Sequence, residues 1–310
     1  MTLVNSEITS MNGLTVVVVP LQGSEKLRRC LNALASQRID QKIETIVPYD
    51  DTLKDVKKLR AEFPHVTFLA IPGRQTYASL RSRGGRLASG QILAITEDHC
   101  IPRDDWAAKI LRAHESSHAA VGGAVEKARP DSRLNWALYL IDYLRYSTPG
   151  EGPSQNLTDC NVSYKRTALA EIADVWKDEF HEPEVNGALH ARGMSLWLSP
   201  EIVVYQQRSI GFNEALHDRY RFGRLFGARR AMSAPFTHRL LYLAAAPLLP
   251  VLLTVRTMRD AHRKPDYTAP FWQSFWLVSL LNLVWAWGEF LGSLTGRVER
   301  TLAHAPQGNN

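Results

Sequence analysis

The sequence predicts an α/β fold: a mostly parallel, Rossmann-like central sheet flanked by helices, followed by a C-terminal apolar helical membrane hairpin. Three observations carry this. Strand-like and helix-like segments alternate four times before Asp98, the pattern of a doubly wound sheet. Polar residues able to do chemistry collect where those strands end, the edge at which such sheets bind ligands. After about Ser233 the chain turns apolar in two runs, the second of them long. The expected divisions are an N-terminal tail over 1–13, an α/β domain over 14–232, a membrane-associated helical segment over 233–296 and a polar tail over 297–310.

The elements follow in order. LTVVVV (Leu14 to Val19) is β-branched enough for a buried strand, and Pro20 stops it. Ser24 is placed to cap the next helix, whose apolar face is Leu27, Leu31 and Leu34. KIETIV (Lys42 to Val47) is the second strand, and Thr52 with Asp55 suggests a capping box opening a helix to about Phe63. HVTFLA is the third strand, a helix spans about Thr76 to Ser89, and QILAIT is the fourth strand. DDWAAKILRAH reads as a helix, AAVGGAV as a strand and RLNWALYLIDYLRY as an amphipathic helix. STPGEGPSQNLT is a loop long enough to serve as a lid. CNVSY is a strand, EPEVNGALHARG a short helix closed by Gly193, and FNEALHDRYRFGRLFGARR a basic helix.

Composition narrows the function. Of 310 residues 45% are hydrophobic and 22% charged, which excludes global disorder. A formal net charge of +6 suits a phosphate-bearing partner: nucleotide, anionic lipid or nucleic acid. Nucleic acid is set aside, because the basic residues are dispersed and no zinc-finger or RNA-binding signature occurs. Three scattered cysteines form neither a disulfide framework nor a CxxC zinc site. The N-terminus lacks the basic start and apolar core of a signal peptide, so a cytoplasmic catalytic region is expected.

AITEDHCIP (Ala94 to Pro102) is the most informative stretch. Glu97, Asp98 and His99 end an apolar strand together, an arrangement that is costly unless a cation binds. A helix N-cap cluster with a solvated histidine would use the same residues. Gly84-Gly85 in a helical stretch costs about 1 kcal/mol per glycine, which fits either a close approach to the sheet or a break in the helix.

The run RSRGGRLASGQILAITEDHCIPRDDW resembles the family 2 glycosyltransferases of the GT-A fold, whose pattern is A-R-N-x-G, A-x-G, a strand, a D-x-D-type cluster and a proline before a W-containing helix. Arg81, Gly84, Ala88 and Gly90 keep that spacing; Ser82 replaces the asparagine and His99 the last acid. PLQGSEKLRRCLNALASQ is similar to the family's opening P-x-x-N-x-x-x-L-x-x-x-L, with Gly23 for the asparagine. The resemblance covers about Leu14 to Arg230. It implies a GT-A-like fold and an inverting transferase with a nucleotide-sugar donor. Pro20, Gln22, Asp50, Asp51, Arg81, Glu97 and Asp98 would hold the donor, and Glu97, Asp98 and His99 the Mn²⁺ or Mg²⁺. The acid closing the second strand would bind the base, Asp50 ahead of Asp51, although Tyr49 holds the family position and a simple turn cap fits as well. The base that deprotonates the acceptor sits about eleven residues before a helix-ending glycine, which from Gly193 gives Glu182, with Glu184 in reserve. Both acids also suit a helix N-terminus for its dipole alone. Asn161 and Lys165, in TDCNVSYKR, would contact the acceptor, as would Arg219 and Tyr220 on the basic helix. LHDRY lacks the glutamine and tryptophan of the processive Q-x-x-R-W motif, so a single addition is expected.

Leu240 to Val255 is apolar but short and holds two prolines; Phe271 to Gly296 is long enough to span and carries four tryptophans. The basic RTMRDAHRK between them reads as a loop, and Arg229, Arg230, Arg239, Arg297 and Arg300 make the flanks basic too. This suits a monotopic hairpin at the cytoplasmic membrane face on anionic lipid, with a two-span arrangement as the alternative. The expected acceptor is accordingly a lipid-linked or polysaccharide glycan. Two other readings remain: a nucleotidyltransferase, for which PLQGSE lacks the glycine-rich phosphate loop, and an inactive membrane-bound scaffold.

Overall fold

The computed structural model describes residues 13–40, 42–128, 131–233, 235, 238 and 243–296. The tail expectations at 1–12 and 297–310, and the flanking Arg239, Arg297 and Arg300, lie outside the described residues. The chain divides into two compact units, Met1–Ala124 with Pro149–Val204, and Val125–Thr148 with Tyr205–Asn310.

The first unit runs β1 (Leu14–Val19), α1 (Ser24–Ala35), β2 (Glu44–Tyr49), α2 (Val56–Glu62), β3 (Thr67–Ala70), α3 (Tyr77–Leu87), β4 (Ile92–Glu97), β5 (Cys100–Pro102), α4 (Trp106–Ala113) and β6 (Ala120–Lys127). After α5 (Arg133–Asp142), which belongs to the second unit, come β7 (Gly152–Pro153), β8 (Asn161–Lys165), α6 (Arg166–Glu171), α7 (Ala173–Trp176), α8 (Glu182–Ala191) and β9 (Leu196–Gln206). The sheet order is β3-β2-β1-β4-β8-β6-β9-β5, with β7 pairing β9. β3, β2, β1 and β4 are parallel, the expected doubly wound block, and β8 returns antiparallel to β4. Every residue of β1 is buried, as its unbroken apolar run requires.

Several local expectations shift. Ser24 is the first helical residue of α1; its cap is Gly23, whose φ of 87° a side chain would resist, and the Ser24 hydroxyl bonds Asp55 instead. The capping box at Thr52 does not form, because Thr52 turns back to donate to Asp50 and Asp55 sits in the left-handed region at φ 58°. The second strand is Glu44–Tyr49, displaced toward the carboxyl end and containing Pro48. The chain re-enters the sheet at Cys100–Pro102 after one turn. Gly84 and Gly85 do not break α3. A Cβ at Gly84 would stand 2.6 Å from Val17, and one at Gly85 3.2 Å from Leu93 and Trp176, so the pair lets the helix lie against β1 and β4.

In the second unit, α5 is joined by α9 (Phe212–Ser233), α10 (Leu249–His262) and α11 (Pro265–Thr295). RTMRDAHRK is therefore mostly helix, continuing α10 to His262. α9 and α11 meet backbone to backbone. A Cβ at Gly223 or Gly227 would stand 2.3 Å and 2.1 Å from the carbonyls of Trp285 and Glu289, and one at Gly288 or Gly292 2.2 Å and 2.0 Å from those of Tyr220 and Arg224. Buried Glu289 is held there by Arg230 at 2.5 Å and the Trp285 indole at 2.9 Å. Glu126 gathers Ser147, Thr148 and Tyr267 around its carboxylate, and Tyr267 stacks on Tyr139 of α5 at 5.8 Å. Among the described residues, one helix, Pro265–Thr295, is long and apolar enough to cross a membrane, and half of its apolar window is buried.

Candidate active site

β1 and β4 lie side by side with Val19 opposite Glu97, so both strands end at one edge of the sheet. Asp98 is wholly buried there and holds the turn after β1: its Oδ2 accepts from the backbone of Leu21 at 2.9 Å and Gln22 at 2.7 Å, while its own N–H donates to Val19 at 3.1 Å. Pro20 and Gln22 are thus fastened to the acidic cluster through main-chain groups.

α3 lowers Arg81 into the same edge. Its Nη2 lies 2.8 Å from Glu97 Oε1 and 2.7 Å from Asp159 Oδ2. Burial alone would lower the guanidinium's pKa, but Asp159, Glu97 and the charge of Glu182 raise it, so Arg81 stays cationic. Glu97 is pushed above the usual carboxylate range by burial first and then by Asp159, against the pull of His99 and Arg81. One guanidinium faces an excess of carboxylates, which is the electrostatic setting for a bound cation.

His99 follows at the turn, buried, with Nε2 3.3 Å from Glu97 Oε2 and Nδ1 3.4 Å from Asp98 Oδ1. Its Nε2 makes no hydrogen bond although it is out of water, an orphaned lone pair or proton that a ligand would satisfy. Donor atoms of Glu97, His99 and Cys100 lie within 4.8 Å of one another, so this group fits a divalent cation. Cys100 completes it geometrically where Asp98 was expected, since Asp98 spends Oδ2 on the β1 turn. Burial pushes the Cys100 thiol well up, which leaves it a neutral packed group.

The other expected residues separate. Asp50 is buried and accepts from Thr52 and, at 2.8 Å, from the Gln75 N–H, tying the loop after β2 to the start of α3; Asp51 accepts from Gly73 at 3.0 Å. Glu182 opens α8, half-buried, with Asn186 donating to it, and Glu184 is exposed on the same turn. Asn161 is wholly buried. It accepts from the Trp106 indole at 2.9 Å and donates to Ala124 and Ile202 at 2.8 Å and 2.9 Å, so its amide is used up joining strands. Lys165 pairs in register with Ile92, at the other end of β4, and donates to Ser116. Five residues of strand, about 16 Å, separate that position from Glu97. In the second unit, Arg219 is buried, bonded to Asp142 at 2.6 Å and seated 4.7 Å over the Trp285 ring. Tyr220 is half-buried, its carbonyl against Gly288. Asp159 is the residue the sequence reading passed over. Its signal was present in TDCNVSYKR: an acid just before a strand, which lands beside Glu97 once that strand runs antiparallel to β4. A cleft of about 300 Å³ lined by Leu31, Leu34, Ile39 and Lys42 lies at the amino ends of β2 and β3, away from this cluster.

The family model "Glycosyl transferase family 2" matches residues 15–173, which include the whole β1–β4 edge and Asp159. The chain belongs to glycosyl transferase family 2. It is thereby a glycosyltransferase drawing on a nucleotide-sugar donor. The match stops before Glu182, so the assignment of a base rests on position and chemistry. No curated protein matches the chain. Among solved structures, this family 2 chain is similar to the mannosyltransferase PcManGT from Pyrobaculum calidifontis in complex with GDP-Man and Mn2+, at 16% identity over 89% of this chain and 86% of that one, with a TM-score of 0.54. At that identity the likeness shows the fold: GT-A-like, with the central sheet flanked by helices.

Proposed function

We propose that this glycosyltransferase inverts the anomeric centre and adds a single sugar to a lipid-linked or polysaccharide acceptor at the cytoplasmic membrane face. The observation that carries the reading is the buried Arg81–Glu97 pair, joined by the half-buried Asp159, with the orphaned His99 nitrogen at the strand ends, and Glu182 within electrostatic reach of Arg81. Glu97 and His99 would hold Mn²⁺ or Mg²⁺, which when bound offsets the charge of the departing diphosphate. The Leu21 and Gln22 turn, fixed by Asp98, and Asp50 with Asp51 shape the nucleotide side. Glu182 serves as general base. Its carboxylate takes the acceptor hydroxyl proton as that oxygen bonds the anomeric carbon and the bond to the diphosphate oxygen breaks on the opposite face. Asp159 keeps Arg81 charged and turned toward Glu97.

Because the similar mannosyltransferase was solved with GDP-Man and Mn2+, GDP-mannose with Mn²⁺ is the first donor to try. The test is calorimetry of purified protein with UDP, GDP and CDP, followed by donor turnover with the matching sugar nucleotide, each with Mn²⁺ and with EDTA. Metal-dependent binding of one nucleotide and turnover of its sugar donor is expected. Binding without turnover of any donor would favour the scaffold reading.

A further inference from the structure

We propose that the second unit binds an anionic lipid surface with α10 and α11 lying flat in one leaflet, so that α11 spans nothing. The inference rests on the membrane reading above and specifies its geometry. Trp272, Trp276, Leu283, Trp287 and Leu294 of α11 are 50–57% exposed. Their spacings of four, seven, four and seven residues put them on one helix face. At 1.5 Å per residue that stripe is about 33 Å long, close to the thickness of a bilayer core. Length alone would therefore allow a span.

The opposite face excludes it. Gly288 and Gly292 press on the backbone of α9 with no room for a Cβ, and Gly223 and Gly227 return the contact. α9 carries Arg219, Arg221, Arg224, Arg229 and Arg230, and Arg230 is paired to buried Glu289. α11 cannot enter the hydrocarbon without carrying this helix alongside, and each arginine at bilayer depth is costly. Only one side of α11 is free to meet lipid, which is the condition for an in-plane helix.

α10 extends the surface and names its charge. Leu248, just before it, and Val251, Leu252 and Val255 on it are 48–63% exposed. Arg259 and Arg263 follow toward its end, with side chains 62% and 66% exposed; both lie near Asp260, at 4.0 Å and 3.8 Å, and together exceed its charge. The His262 ring meets that of Trp272 at 5.8 Å, so the basic end of α10 adjoins the start of the tryptophan stripe. Tryptophans at the headgroup level beside a pair of exposed guanidiniums complement anionic headgroups.

The test uses full-length protein and vesicles of phosphatidylcholine with or without phosphatidylglycerol. Flotation should show binding at least tenfold stronger with the anionic lipid, reduced tenfold or more by the triple variant Trp272→Ser, Trp276→Ser, Trp287→Ser. Arg259→Gln with Arg263→Gln should remove the anionic preference. Topology is read from Asp266→Cys and Thr295→Cys, at exposed positions on the two ends of α11 that lie off the tryptophan stripe; the three native cysteines are buried. With protein bound from outside, a membrane-impermeant maleimide should label both positions. Labelling of one end and protection of the other would establish a span and overturn this proposal while leaving membrane association intact. No binding to either vesicle would remove both. If the triple variant instead turns a dimer into a monomer by light scattering, the stripe is a contact between copies and the proposal falls.

Discussion

Replacing Gly288 with alanine tests the α9–α11 crossing against the ordinary preferences of a helix. Helix propensity favours alanine by about 0.8–1 kcal/mol. The new Cβ, however, would stand 2.2 Å from the Tyr220 carbonyl oxygen and 3.0 Å from the Arg224 nitrogen. Restoring an ordinary contact requires α11 to retreat by about 1 Å, which also loosens Gly292 and the buried Arg230–Glu289 pair. Overpacking of this kind costs about 1–3 kcal/mol, and backbone cannot yield as a side-chain tip does. The steric term should win, leaving the variant about 2 kcal/mol less stable. Gly187 on α8 has nothing within 4 Å of its added Cβ, so Gly187→Ala should gain up to about 1 kcal/mol. Urea denaturation followed by tryptophan fluorescence reads both. If Gly288→Ala is as stable as the parent, or gains like Gly187→Ala, the backbone contact is not a constraint and the reasoning fails.

Glu182→Gln should bind nucleotide normally yet turn over about a hundredfold to ten-thousandfold more slowly, whereas Glu184→Gln should be milder; the reverse order would move the base to Glu184. His99→Ala should weaken Mn²⁺-dependent nucleotide binding in calorimetry, and equal affinity with and without EDTA in the parent protein would end the metal reading. His114 is buried against Ser163 at 2.8 Å, and burial, with Lys165 adding, lowers its pKa from 6.5 to about 4. The unfolded chain therefore takes up a proton that the native state refuses between those values. Stability should be unaffected by this group above pH 6.5 and fall as pH drops toward 4, by about 3 kcal/mol at the limit. His114→Gln should flatten that part of the pH profile, and an unchanged slope would show that other groups cause it.

The elements that periodicity specifies are the ones that formed as read. β1 is an unbroken β-branched run and α3 follows a threonine cap, and both stand where expected. Direction and pairing partner are not local properties. Nothing in CNVSY announces that β8 runs antiparallel to β4, and that reversal moves Asp159 to the site and Lys165 away from it. β9, LWLSPEIVVYQ, escaped because a proline and a charge, Pro200 and Glu201, interrupt its pattern. Asn161 was expected at the acceptor from the likeness of TDCNVSYKR to the family's acceptor-side strand, and that likeness carries no sign that its amide bonds Ala124 and Ile202 in the framework. The glycines of α9 and α11 were visible in the sequence, yet their purpose depends on which helices touch.

The second unit is assembled from stretches far apart in the chain, and that fixes the order in which it can form during synthesis. Tyr139 of α5 and Tyr267 of α11 are 128 residues apart. At about 5–20 residues per second, α5 leaves the ribosome roughly 6–26 s before its partner exists. Through that interval Tyr139 lacks the Tyr267 ring that stacks on it, while the rest of the first unit, through Val204, is made. The nascent chain thus carries a finished sheet and a helix short of its last partner until its final stretch emerges. A ribosome stalling before Pro265 would release a molecule with an intact nucleotide edge and an adhesive surface.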